Sequence, residues 1–164
     1  MSLETDGAAI DLHEAIAFIW REAEMLDRCA YAPWLALWSA AGRYVIPIDR
    51  GTTDYAGTLN VAYDDQAMRE ARVKRLKSGF SMSSAPPART VRTVSRFVET
   101  AAEAGAIELD AAMLLVEYKY ETTRLLAADL NYRIVRANGG LALDRKVIRL
   151  INSDDALHGI GYLL

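Results

Sequence analysis

The feature that most limits the fold is a run of four long strand-like segments, Val91–Thr100, Ile107–Tyr120, Arg124–Arg136 and Leu141–Ile151, joined by connectors of a few residues. Ile107, Leu109, Ala111, Met113 and Leu115 alternate with Glu108, Asp110, Ala112, Leu114 and Val116. The alternation starts two-faced and becomes apolar on both sides, as in a curved sheet covered at its middle. Glu103-Ala104-Gly105 and Asn138-Gly139-Gly140 mark tight turns, which makes neighbouring strands antiparallel hairpins. The third turn must fall within Tyr120–Arg124, where no glycine or proline marks it.

The first half supplies the cover. Leu12, Ile16, Ile19, Ala23 and Leu26 step by four and three, so they share one helical face. Asp11 and Glu14 have the spacing of a capping box. Pro33 suits the first turn of a shorter helix carrying a Trp34, Leu37, Trp38 stripe. From Arg43, RYVIPID reads as a strand that Pro47 either ends or confines to a sheet edge. Leu59–Tyr63 is another short strand. Asp64 and Asp65 can cap a helix over Gln66–Lys77 that Ser78-Gly79 would end, and Pro86-Pro87 opens a loop over Met82–Arg89. This order predicts an α+β fold with the helices on one face of an antiparallel sheet. Residues 1–164 are expected to form one domain, with 1–9 a short flexible lead-in.

Composition removes several function classes. The formal net charge is −3, against a strongly basic nucleic-acid binder. One cysteine among 164 residues excludes an intramolecular disulfide or a multi-cysteine metal cluster. No apolar run approaches the roughly 18–20 residues of a membrane span, and the acidic start is unlike a signal peptide. A cytoplasmic protein is expected. Gly159-Ile160-Gly161 is an isolated G-x-G without the strand and helix that dinucleotide binding requires. His13 and His158 are the only histidines, and a facial iron triad would need both. No metal or cofactor site is therefore expected in this chain. Cys29 reads as a small packed residue.

Two features carry potential chemistry. Asp27, near the end of the first helix, and Tyr44 could face one cavity, with Tyr118 and Tyr132 adding hydroxyls. A buried carboxylate beside a tyrosine donor suits a small-molecule isomerase or dehydratase. The plainer role for Asp27 is pairing with Arg28 or another cation. The second feature is charge asymmetry. Arg69, Arg72, Lys74, Arg75, Lys77, Arg89, Arg92 and Arg96 face a single acid, Glu70, in their segment. Aromatic interleaving is limited to Phe80, so a protein partner or internal pairing fits better than nucleic acid.

FIWREAEMLD at 18–27, the following PWLALW, RYVIP, YDD at 63–65, ARVKRLKSG, the PPAR-T-x-R-x-V-S run and the ending LDRKVIRLINSDDALHGIGYLL occur in this order. Together they resemble the small (β) subunit of aromatic-ring-hydroxylating dioxygenases, from about Ile10 to Leu164. Family members often carry histidine at the position of Thr93 or Arg92, and asparagine at that of Arg96. The resemblance implies a cystatin-like, nuclear-transport-factor-2-like cone. It also implies a large α subunit, as α3β3, holding a Rieske [2Fe–2S] cluster and a mononuclear ferrous iron, with neither on the small subunit. The implied reaction is cis-dihydroxylation of an aromatic ring with O2 and NAD(P)H-derived electrons, the small subunit supporting assembly without catalysing. A homotrimer is implied too. Leu114, Val116, Leu126 and Leu130 are expected on the face opposite Met113 and Leu115, with Ile160–Leu164 helping to seal the contact.

Overall fold

The computed structural model describes residues 7–82, 87–152 and 162–164, and within them the strand block forms as expected. The chain runs α1 (Leu12–Asp27), α2 (Tyr31–Leu35), β1 (Trp38–Pro47), β2 (Asn60–Asp64), α3 (Gln66–Met82), β3 (Arg89–Glu103), β4 (Ala106–Lys119), β5 (Thr122–Ala137) and β6 (Gly140–Leu150). One six-stranded sheet has the order β2-β1-β6-β5-β4-β3. All neighbours are antiparallel except β1 and β6, which pair in parallel. This is the α+β cone expected from the sequence.

The β4–β5 turn sets the register. Tyr120 and Glu121 both take left-handed backbone (φ 52° and 59°), as a two-residue hairpin with right-twisted strands demands. Lys119 therefore pairs with Thr122, Leu115 with Leu126 and Ala111 with Leu130. Leu126 and Leu130 thus lie on the inner face, 4% and 2% exposed, beside Met113 and Leu115. This corrects their expected outward placement. Val91, Leu114, Val116 and Leu125 are the residues left outside.

Other corrections are local. The Trp34–Trp38 stripe is divided, because α2 lasts five residues and Trp38 already belongs to β1. Pro47 ends β1, but the strand is not an edge: β2 and β6 flank it. Asp11 stands at the N-cap of α1 without a side-chain cap bond, and Glu14 turns to Arg136 instead. Asp65 caps α3 by accepting from the Met68 amide, while Asp64 turns to Arg72. The helix continues through Ser78-Gly79 to Met82. Cys29 is exposed at φ 55°, not packed. Residues 1–6 of the lead-in expected over 1–9, the centre of the proline loop, the G-x-G, His158 and Ile160 lie outside the described residues.

Two irregularities shape the sheet. Between Trp38 and Arg43 the β1–β6 register shifts, and Gly42 lies so close that an added Cβ would meet Trp38 Cε3 at 2.8 Å and the Leu143 carbonyl at 3.0 Å. Arg69 of α3 fastens this bulge, donating to the Gly42 carbonyl at 2.6 Å with its guanidinium 4.3 Å from the Trp38 ring centroid. In β3 a bulge follows Ser95, with Arg96 at φ 57°. That backbone suits asparagine better than arginine. Phe97 then packs edge-on against Trp20 of α1, with ring centroids 6.0 Å apart.

Candidate functional site

α1 closes the concave side of the sheet, and the interior it encloses contains charge. Glu22 of α1 and Lys146 of β6 form an ion pair of 2.7 Å, each side chain 1% exposed. Glu22 also accepts from Trp34 Nε1 at 3.1 Å. Burial depresses the Lys146 ammonium from its ordinary value, against the pull of Glu22, and Arg92 adds to the depression. The Tyr132 ring lies 5.8 Å from Lys146 Nζ. Burial, with Glu22 nearby, holds the Tyr132 hydroxyl well above its ordinary range.

Residues Tyr162–Leu164 lie within this cluster. Tyr44 donates to the main-chain oxygen of Leu164 at 3.3 Å and accepts from its amide at 3.0 Å. Lys146 donates to the same oxygen at 2.9 Å. Arg92 Nη1 donates to the Leu163 carbonyl at 3.0 Å. Both leucine side chains are buried, at 2% exposure. At the rim, Glu117 Oε2 accepts from the Tyr162 hydroxyl and from Arg124 at 2.7 Å. Burial alone would raise the Glu117 carboxyl, but these two hydrogen bonds outweigh it and hold it below the ordinary range.

The structure thus brings Tyr44 and Tyr132 together and connects Asp27 to them through Arg92. Asp27 accepts at Oδ1 from Arg92 Nε (2.8 Å) and Thr90 Oγ1 (2.9 Å), and at Oδ2 from the Arg92 amide (3.0 Å). Pairing with a cation, the plainer role for Asp27, is the one seen, though the cation is Arg92 rather than Arg28. Asp27 also lines an open groove of about 670 Å³ between α1 and β3, with Trp20, Glu24, Arg28 and Thr93. Tyr118 is elsewhere, on the outer face at 45% exposure. The buried lysine, glutamate and arginine were not recognised in the sequence. For the two cations the signal was a charged residue at an inward parity position in a strand: Lys146 two residues before Ile148 in β6, and Arg92 two residues before Val94 in β3.

Half of the basic segment is engaged within the fold. Arg69 is buried, Arg72 pairs with the 1%-exposed Asp64 at 2.5 Å, Arg92 holds Asp27, and Arg96 holds Asp129 at 2.6 Å. Lys74, Arg75, Lys77 and Arg89 stay exposed. Arg72 and Arg75 therefore behave differently when reversed to glutamate. Arg72→Glu strands Asp64 beside a like charge and is expected to cost about 2–3 kcal/mol in urea unfolding. Arg75→Glu is expected to stay within about 0.5 kcal/mol. Equal effects would contradict the pairing.

The tyrosines give a second expectation. Tyr44 and Tyr132 are held above the ordinary 10.0 by burial, whereas in the unfolded chain they ionise near that value. Above pH 10 these two hydroxyls keep two protons in the native state that they lose in the unfolded state, so their contribution, complete below pH 10, is lost as pH rises. The loss is about 3 kcal/mol per pH unit. Lys146 acts in the opposite sense, but only below its ordinary 10.5. Phenolate absorbance is expected to show these two tyrosines ionising together with loss of the native circular dichroism. Independent titration near pH 10 in the folded protein would contradict it.

The α+β cone is thus filled by its own chain, and exposed apolar residues lie on its outer sheet face. The profile of the family described as ring hydroxylating beta subunit matches residues 21–154, and the chain belongs to that family. It is 29% identical over 118 residues to the benzene 1,2-dioxygenase subunit beta of Pseudomonas putida, a match covering 66% of this chain and 63% of that relative. The β subunit of benzoate 1,2-dioxygenase from Burkholderia mallei superposes with a TM-score of 0.80 at 24% identity, over 94% of this chain and 98% of the other. An NTF2-like protein with a cystatin-like fold from Novosphingobium aromaticivorans shares the fold, with a TM-score of 0.61 at 13% identity over 87% and 82% of the two chains. Among the described residues no helix is long and apolar enough to cross a membrane.

Proposed function

We propose that this chain is the non-catalytic small subunit of an aromatic-ring-hydroxylating dioxygenase, a single domain that supports assembly of a large iron-containing α subunit in a cytoplasmic α3β3 complex. In this reading the large subunit cis-dihydroxylates an aromatic ring with O2 and electrons from NAD(P)H. The observation that carries the reading is where the free surface lies. The cone interior is filled by Leu163 and Leu164 over an ion pair, whereas Val91, Leu114, Val116, Leu125 and Ile151 stand exposed outside. Apolar patches of that kind mark interfaces.

The ligand inventory supports placing the metals on the partner. A Rieske centre takes two cysteines and two histidines, and this chain has one cysteine. That cysteine and His13 are both exposed, and neither belongs to the buried cluster. The residues do not fit the cluster, so no step of the reaction is routed through this chain. The test is co-production with a large ring-hydroxylating subunit from the same genome. Tagged chain is expected to retain the iron-containing partner, and aromatic hydroxylation with NADH and reductase is expected to need both. Retention of no large chain, or turnover of a small molecule by the isolated chain, would overturn the reading.

A further inference from the structure

We propose that the interior of the cone is a receptor site for a short apolar peptide segment, and that Tyr162–Leu164 is the ligand it holds in cis. The argument rests on which groups are recognised. Tyr44 uses one hydroxyl to read both main-chain polarities of a single residue, donating to the Leu164 oxygen and accepting from the Leu164 amide. Lys146 donates a second bond to that oxygen, and Arg92 donates to the preceding carbonyl. Consecutive main-chain oxygens are thus held by two buried cations, as a strand neighbour would hold them. Arg92 Nη2 is a further donor in the cluster, buried without a hydrogen-bond partner among the described residues.

Lys146 and Arg92 are matched inside by Glu22 and Asp27, so the donors that hold the segment are already paired with carboxylates. The two leucine side chains, 2% exposed, select branched aliphatic residues. Glu117 and Arg124 at the rim select a preceding phenol. The matching occupant is an aromatic–aliphatic–aliphatic sequence, which this chain supplies as Tyr162–Leu164. This inference is independent of the assembly proposed above, because it concerns the concave side alone.

The test uses the chain lacking residues 162–164, with acetyl-Tyr-Leu-Leu-amide as probe and acetyl-Tyr-Ser-Ser-amide as control. Trp34 donates to Glu22 and packs 5.8 Å from Tyr44, so tryptophan fluorescence reports on the site. The shortened chain is expected to bind one leucine peptide with a dissociation constant on the order of 10 µM. The full chain should bind at least about 100-fold more weakly, because its own segment competes at high effective concentration. Tyr44→Phe in the shortened chain is expected to weaken binding at least roughly tenfold, because it removes both hydrogen bonds the hydroxyl makes to the last leucine. If the shortened chain does not fold alone, the leucine peptide is expected to restore its native circular dichroism. Neither binding nor restoration, equal action of the serine peptide, or equal binding by the full chain would overturn the proposal.

Discussion

Lys146→Met is expected to lower the stability of the folded chain by about 4 kcal/mol at pH 7, among the largest effects available from a single side chain. The substitution removes the only ion-pair partner of Glu22 among the described residues, and the Glu22 side chain is 1% exposed. That carboxylate must then stay charged without a cation or take up a proton. For a glutamate with a reference pKa near 4.3, proton uptake at pH 7 costs roughly 4 kcal/mol, which caps the penalty near the 3–5 kcal/mol of a broken buried pair. The cap has a signature. As pH falls towards 4.3 the proton becomes easier to supply, so the deficit shrinks by about 1.4 kcal/mol per unit. The double variant Glu22→Gln, Lys146→Met keeps an acceptor for Trp34 and removes both charges, so it should recover most of the loss. Urea unfolding of the four proteins at pH 5 and pH 7 measures this. A deficit unchanged between the two pH values, or additivity of the two substitutions, would contradict a coupled buried pair.

The cluster also shows what the sequence could convey. The C-terminal strands were legible because alternation and glycine-marked turns are local signals, and β3 to β6 lie within a few residues of their expected bounds. Their mutual register was not. Each strand shows which residues share a face, but only the connecting turn decides which faces coincide. Tyr120-Glu121 adopts the left-handed pair without the Asn-Gly that would announce it. One missing turn signal was enough to put Leu126 and Leu130 on the wrong side. The same limit hid the site. A lysine or arginine in a strand pattern is read as solvent-facing, and Glu22 and Lys146 are 124 residues apart in sequence. Of the two groups expected to share a cavity, Tyr44 lies in the interior and Asp27 lines the open groove between α1 and β3. The residues that surround them, Arg92 and Leu163–Leu164, are connected to them by tertiary structure alone. α3 also outran its expected end: Ser78-Gly79 is a local stop signal, and the helix backbone runs past it to Met82.

The corrected register changes which substitutions test self-association, and Leu114→Asp with Leu125→Asp is expected to have the largest effect on it. These residues are 52% and 63% exposed in the single chain and lie with Val116 and Val91 on the outer face of β3, β4 and β5. Because they touch solvent before association, the double variant should unfold within about 0.5 kcal/mol per site of the parent. In the homotrimer proposed here the same positions would be covered, and each aspartate would be desolvated or protonated at about 3–4 kcal/mol at pH 7. The association constant should fall at least 10³-fold. Light scattering is expected to report a trimer for the parent at micromolar concentration and a monomer for the variant. Leu126→Asp is the contrast, since its inner-face position makes it a folding defect. If the parent is monomeric, or the variant keeps the trimer, this face does not join copies of the chain. Loss of co-purification with the large subunit in the variant would then assign the patch to that partner. The tail plays a different part from the one expected of it. Leu163 and Leu164 pack inside their own cone, so truncation acts on the fold first and on association only through it.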